Sequence, residues 1–147
     1  MSFQWLQMRI GEESDRRKRE AAVLERLPRA LEEVHEALSE CVSSYRKAFG
    51  HDAAEILLQS GRIRVTTRSQ KDNQWQQSGR VEIVVTPAIP GFQVDRGVGG
   101  EPLIIEVGIL PGDKLYYRDR AKDQYVTMDE LTRRMLDRAL FPNLPES

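Results

Sequence analysis

The amino-acid sequence predicts an α+β domain: a long N-terminal amphipathic helix and a C-terminal helix packed on one face of an antiparallel sheet of about five strands. Three observations predict it. Apolar residues recur at alternating steps of three and four from Leu24 to Tyr45, short runs between Arg62 and Arg118 alternate apolar with polar, and helical spacing returns after Thr127. Strands in one block with helices on either side are the order expected when helices cover one face of a sheet.

The first helix is expected from about Ser14 to Phe49, with Leu24, Leu27, Leu31, Val34, Leu38, Cys41 and Tyr45 as its seam and Gly50 as its stop. Val23, Ala30, Ala37, Val42 and Phe49 widen the apolar stripe, which suits a helix lying on a sheet better than a narrow two-stranded seam. Pro28 falls inside the pattern and either kinks the helix or splits it. Residues 1–20, with the basic run Arg16-Arg17-Lys18-Arg19, have no continuous apolar side from Glu12 to Glu20 and are expected to project or fray.

Asp52-Ala-Ala-Glu55 has capping-box spacing and Gly61 follows the apolar trio Ile56, Leu57, Leu58. This predicts a short second helix over residues 53–60, with a strand as the competing reading. From Arg62 the period becomes two: Ile63, Val65 and Thr67 share one face, and Arg62, Arg64, Thr66 and Arg68 the other. Val81, Ile83 and Val85 repeat the alternation against Arg80, Glu82 and Thr86, so the two runs are expected to be antiparallel neighbours with one wet face. Further strands are expected at Phe92 to Arg96, Leu103 to Leu110 and Lys114 to Arg118, the last two joined by a Pro111-Gly112 type II turn. Thr127-Met-Asp-Glu130 is a capping box for a helix carrying Leu131, Met135, Leu136, Ala139 and Leu140 and ending before Pro142, after which residues 142–147 form a tail.

A chain of 147 residues is long enough for one domain with a real core, and no linker or repeat divides it. The charge is balanced, with 22 basic and 23 acidic residues and a formal net charge of −1, so no global field favours nucleic acid or anionic lipid. One cysteine, Cys41, and two histidines, His35 and His51, give no Cys/His cluster for a metal, and no cofactor is expected. The opening MSFQWLQMRIG lacks both a basic n-region and a long apolar run, and no segment has the length to span a membrane. The expectation is a cytoplasmic protein with no membrane contact.

Three candidate surfaces emerge. Arg62, Arg64, Arg68, Lys71 and Arg80, with Trp75 as a stacking face, have the spacing to meet successive phosphates of a single strand, although an open strand with basic side chains has the same look. Arg62, Arg64, Glu82 and Glu106 could form a small-ligand or enzymatic site on the wet face, and Glu82 with Glu106 a carboxylate pair if their strands are adjacent. The loop Val94-Asp95-Arg96-Gly97-Val98-Gly99-Gly100-Glu101 is glycine-rich but precedes a strand, not the helix N-terminus a phosphate loop needs; Asp95, Arg96 and Glu101 are its candidate ligand-binding residues. The leading expectation is a non-enzymatic binding or assembly module, forming a homodimer or engaging a protein partner, because the amphipathic helix exceeds what a domain of this size requires.

Overall fold

The computed structural model describes residues 2–97 and 100–145. One long helix, α1 (Gln4–Phe49), is followed by a 3₁₀ turn (His51–Ala53) and seven strands: β1 (Ala54–Gln59), β2 (Arg62–Lys71), β3 (Gln74–Thr86), β4 (Gly91–Asp95), β5 (Leu103–Leu110), β6 (Lys114–Asp119) and β7 (Gln124–Val126). The chain then enters α2 (Met128–Leu140). The sheet is an antiparallel meander in which every strand pairs with its sequence neighbour, in the order β1 to β7. The α+β class and the helix–sheet–helix order are as expected, with seven strands in place of five.

The two additional strands lie at the edges. Residues 53–60 form β1 rather than a helix, because Ser60 (φ 52°) and Gly61 (φ 72°) close a two-residue hairpin onto β2. Successive positive φ values are the signature of the turn whose twist matches paired strands. Asp72 (φ 55°) and Asn73 (φ 65°) do the same between β2 and β3, so those strands run out into a polar ribbon that hydrophobic alternation does not mark. Gly112 has the positive φ (86°) that the second central position of the expected type II turn requires.

α1 is continuous through Pro28 and starts ten residues before the expected Ser14. Pro28 is exposed, so the carbonyl of Leu24, which loses its intrahelical donor there, lies on the side of the helix that reaches water. The N-terminal extension is held by ion pairs one turn apart: Arg9 with Glu12, Arg16 with Glu13 and Glu20, and Arg17 with Glu13. Hydrogen bonds from Arg16 and Arg17 hold the Glu13 carboxyl down to about 2.

Both helices lie on one face of the sheet. Leu27, Leu31, Val34, Leu38 and Val42 of α1 and Leu131, Met135 and Leu136 of α2 are buried on Ile63, Val65, Val81, Ile83, Phe92, Val94, Ile105 and Val107. Each such side chain contributes about 1.5–3 kcal/mol by leaving water. Thr127 caps α2 as expected, its Oγ1 accepting the Glu130 N–H at 3.2 Å. The reciprocal half of the capping box is not made: the Glu130 carboxylate takes the Arg134 Nε at 3.0 Å instead.

The docking of α2 is unusually close at Gly79, where a Cβ would sit 2.5 Å from the Ala139 carbonyl oxygen. Thr67 donates its hydroxyl to that same oxygen at 2.8 Å. A buried Asp119 on β6 accepts from Arg134 of α2 at 2.6 Å, and Arg134 also donates to Gln124 Oε1 at 2.9 Å. Among the described residues no helix is long and apolar enough to cross a membrane.

Candidate functional site on the open sheet face

With both helices on one side, the other face carries the residues whose side chains alternate away from the core. Register places Arg64 opposite Glu82, Thr66 opposite Arg80 and Arg62 opposite Val84 across β2 and β3. Arg62, Arg64, Arg80 and Glu82 therefore share one patch. Arg62 Nη1 donates to Glu82 Oε1 at 2.6 Å, Arg80 Nη2 donates to Oε2 at 2.5 Å, and Arg64 approaches Oε1 at 3.9 Å.

Glu82, on the face away from the core, is only 7% exposed, with the Arg62, Arg64 and Arg80 guanidinium groups gathered on its carboxylate. The Arg80 hydrogen bond is the largest influence on its carboxyl and holds it below the ordinary carboxylate value; burial opposes this and Arg62 adds to it. Three guanidinium groups thus converge on one carboxylate, and each remains roughly half exposed.

The expected pairing of Glu82 with Glu106 is not made, because β4 lies between β3 and β5. Glu82 stands opposite Asp95, an exposed carboxylate on β4, and Glu106 stands opposite Gly91 and Arg118. Arg118 Nη2 donates to Glu106 at 2.6 Å, and its other nitrogen reaches Asp123. Those two contacts, Glu106 first, raise the Arg118 guanidinium further into its charged form. Strand order decides such partnerships, and sequence alternation carries no information about it.

The remaining basic candidates are dispersed. Arg68 reaches Glu55 at 3.3 Å. Lys71 is exposed at the far end of β2. The Trp75 ring is half-buried with its edge 3.6 Å from where a Cβ on Gly50 would stand, at the end of α1.

The glycine-rich loop is described except for Val98 and Gly99, which lie outside the described residues, as do residues 146–147 of the tail. Asp95 Oδ1 accepts the Gly97 N–H at 2.9 Å, and Arg96 donates twice to the Glu101 carbonyl, at 3.1 and 2.9 Å. Glu101 contributes its backbone there. Arg80, Asp95 and Arg96 line a cleft of about 790 Å³ together with Arg138 and Ala139 of α2. Arg138 carried no sequence signal, since its place beside the loop depends on how α2 docks.

Among the described residues no group of three or more His, Cys, Asp and Glu stands close enough to hold a metal ion. His51 is engaged by Arg46, which donates to its carbonyl at 2.8 Å and contacts its ring. His35 and Cys41 are half-buried on α1.

Comparison of the chain with protein-family models, with curated proteins and with solved structures finds no match.

Proposed function

We propose that this chain is a non-enzymatic assembly module that associates with a second copy through the N-terminal section of α1. The observation that carries the reading is the exposure of that section. Residues 2–12 are exposed throughout, yet they include Phe3 (52%), Trp5 (66%), Leu6 (39%), Met8 (67%) and Ile10 (53%). Five large apolar side chains within about two turns of helix are more than scattered surface residues.

Their spacing adds to this. Phe3, Leu6 and Ile10 continue, in the same alternating steps of three and four, the seam that Leu24 to Tyr45 present to the sheet. Between the two apolar stretches the seam carries Glu13, Arg17 and Glu20. Parallel arms would set each of these against its own copy, which is unfavourable. An antiparallel overlap limited to the first turns lets Leu6 meet Ile10 of the second copy, sets Phe3 beside the aliphatic part of Glu13, and leaves Arg17 and Glu20 in water. Sedimentation velocity over a micromolar concentration series tests the reading: a rising weight-average mass is expected, and a strict monomer throughout would overturn it.

A second reading is a small anionic ligand in the cleft, favoured by Arg96 and Arg138 standing together beside Gly100 on a concave surface. Titration with inorganic phosphate, with Arg138→Ala as the comparison, tests it; heat or shift changes lost in the variant are expected, and none in either protein would end it.

A further inference from the structure

We infer that β1 is a second self-association surface, along which two copies pair edge to edge to make one continuous antiparallel sheet. The inference rests on the reading of the chain as a self-associating module and names a different contact from the helical one.

The free edges of this sheet are not alike. β7 has three residues and is preceded by Arg120, Lys122 and Asp123. The part of β2 that extends past β1, Arg68 to Lys71, is basic and polar. The part of β3 that extends past β4 is polar apart from Trp75 and Val81, and has a bulge where Thr67 and Arg68 face it. Shortness, charge and bulges are the devices that keep strand edges from pairing. β1 has the fewest: Ala54-Glu-Ile-Leu-Leu-Gln59 contains no Lys, Pro or Gly, its one charge, Glu55, is paired with Arg68 at 3.3 Å, its ladder to β2 is regular, and Leu57 and Leu58 are 48% and 39% exposed.

The unpaired backbone groups can be identified. Gln59 and Arg62 close a two-residue hairpin, and such a closing pair exchanges both hydrogen bonds. Gln59, Leu57 and Glu55 therefore point their N–H and C=O groups at β2, while Ala54, Ile56 and Leu58 point theirs outward. The neighbouring ladder agrees, since Gly61 turns its carbonyl to the Val85 N–H of β3 at 3.4 Å. Outward groups on 54, 56 and 58 restrict a twofold antiparallel pairing to registers in which even residues face even ones.

Of these registers, one centred on Glu55 sets like charges together, and one centred on Ile56 sets Glu55 against Leu57. Centring on Leu57 places Leu57 against Leu57 of the second copy, Ile56 against Leu58, and Glu55 against Gln59. Only this arrangement matches apolar with apolar and neutralises no charge at another's expense. It makes Leu57 a non-hydrogen-bonded pair with itself, where Cα atoms are about 4.5 Å apart, inside the range a disulfide spans.

The test uses the full chain. Under mild oxidation, Leu57→Cys is expected to form a disulfide-linked dimer, whereas Glu55→Cys, whose partner in this register is Gln59, and the wild-type chain with its half-buried Cys41 are expected not to. The wild-type chain is expected to form species larger than a dimer, and Leu57→Lys, at an exposed position, to stop at the helical dimer in sedimentation equilibrium with its thermal unfolding unchanged. Species beyond a dimer that survive Leu57→Lys, with no Leu57→Cys cross-link, overturn the edge contact and leave the helical one standing. A wild-type chain that stays monomeric at all concentrations overturns both.

Discussion

Arg80 and Glu82 lie two residues apart on one strand, on the same face, with Nη2 and Oε2 2.5 Å apart. Arg62 from the neighbouring strand completes the clamp, so the carboxylate is a tie across β2 and β3. Glu82→Gln keeps the shape and removes the charge, and should cost about 1–3 kcal/mol at neutral pH; the half-exposed arginines keep it from costing more. Because the folded carboxyl lies below its unfolded value near 4.3, the contribution is present above that pH and is lost as pH falls through the folded value. Thermal unfolding at pH 7 and pH 3 should show the variant losing less stability on acidification than the wild type.

Tyr117 gives the opposite limb. Its hydroxyl donates to Glu33 of α1 at 3.0 Å, and burial first, then the Glu33 charge, push its ionisation well above the ordinary tyrosine value. A group raised in this way contributes stability that is whole below its unfolded value near 10 and declines as pH rises toward the folded one. Tyr117→Phe should therefore reduce the alkaline loss between pH 9 and about 11, at a cost of about 1 kcal/mol at pH 7 for the lost hydrogen bond. Denaturant midpoints at the two pH values measure both.

Asp119 is 1% exposed and has Arg134 of α2 as its charged partner. Arg134→Met strands a buried carboxylate and should destabilise by about 3–5 kcal/mol. Arg134→Lys should recover only part of this, because one ammonium cannot reproduce the fork that spans Asp119, Glu130 and Gln124. Chemical denaturation of the three proteins would show the order.

At Gly79 the α2 backbone comes too close to β3 to admit a side chain. Gly79→Ala forces a Cβ onto the Ala139 carbonyl, and separating the helix from the strand should cost about 1–3 kcal/mol. Faster amide exchange in α2 than in α1 would locate the damage.

Much of the fold was legible because periodicity reports burial. The seam from Leu24 to Tyr45 and the alternation from Ile63 to Val85 are both consequences of one covered face. Where burial is absent, the pattern breaks: residues 9–20 of α1 are held by Arg–Glu pairs one turn apart, and Glu13, Arg17 and Glu20 interrupt the seam between Ile10 and Leu24. β1 was hidden by Asp52 and Glu55, which mimic a cap, while the Ser60-Gly61 hairpin turn was the signal that could have revealed it. The open-face residues could be assigned to a face, but not to partners. That Glu82 meets three arginines and stands beside Asp95 instead of Glu106 follows from strand order and register, and Arg138 enters the cleft only through the docking of α2.

The helical contact is tested most directly by sedimentation equilibrium on the Leu6→Glu/Ile10→Glu chain beside the wild type. Both positions are exposed, so folding should be untouched, while burying about 1.5–3 kcal/mol of apolar side chain at each makes them the centre of the proposed overlap. Association through the helical contact is expected to weaken more than tenfold, leaving the edge-paired dimer, with an unchanged unfolding midpoint. Equal association constants for the two proteins would contradict it.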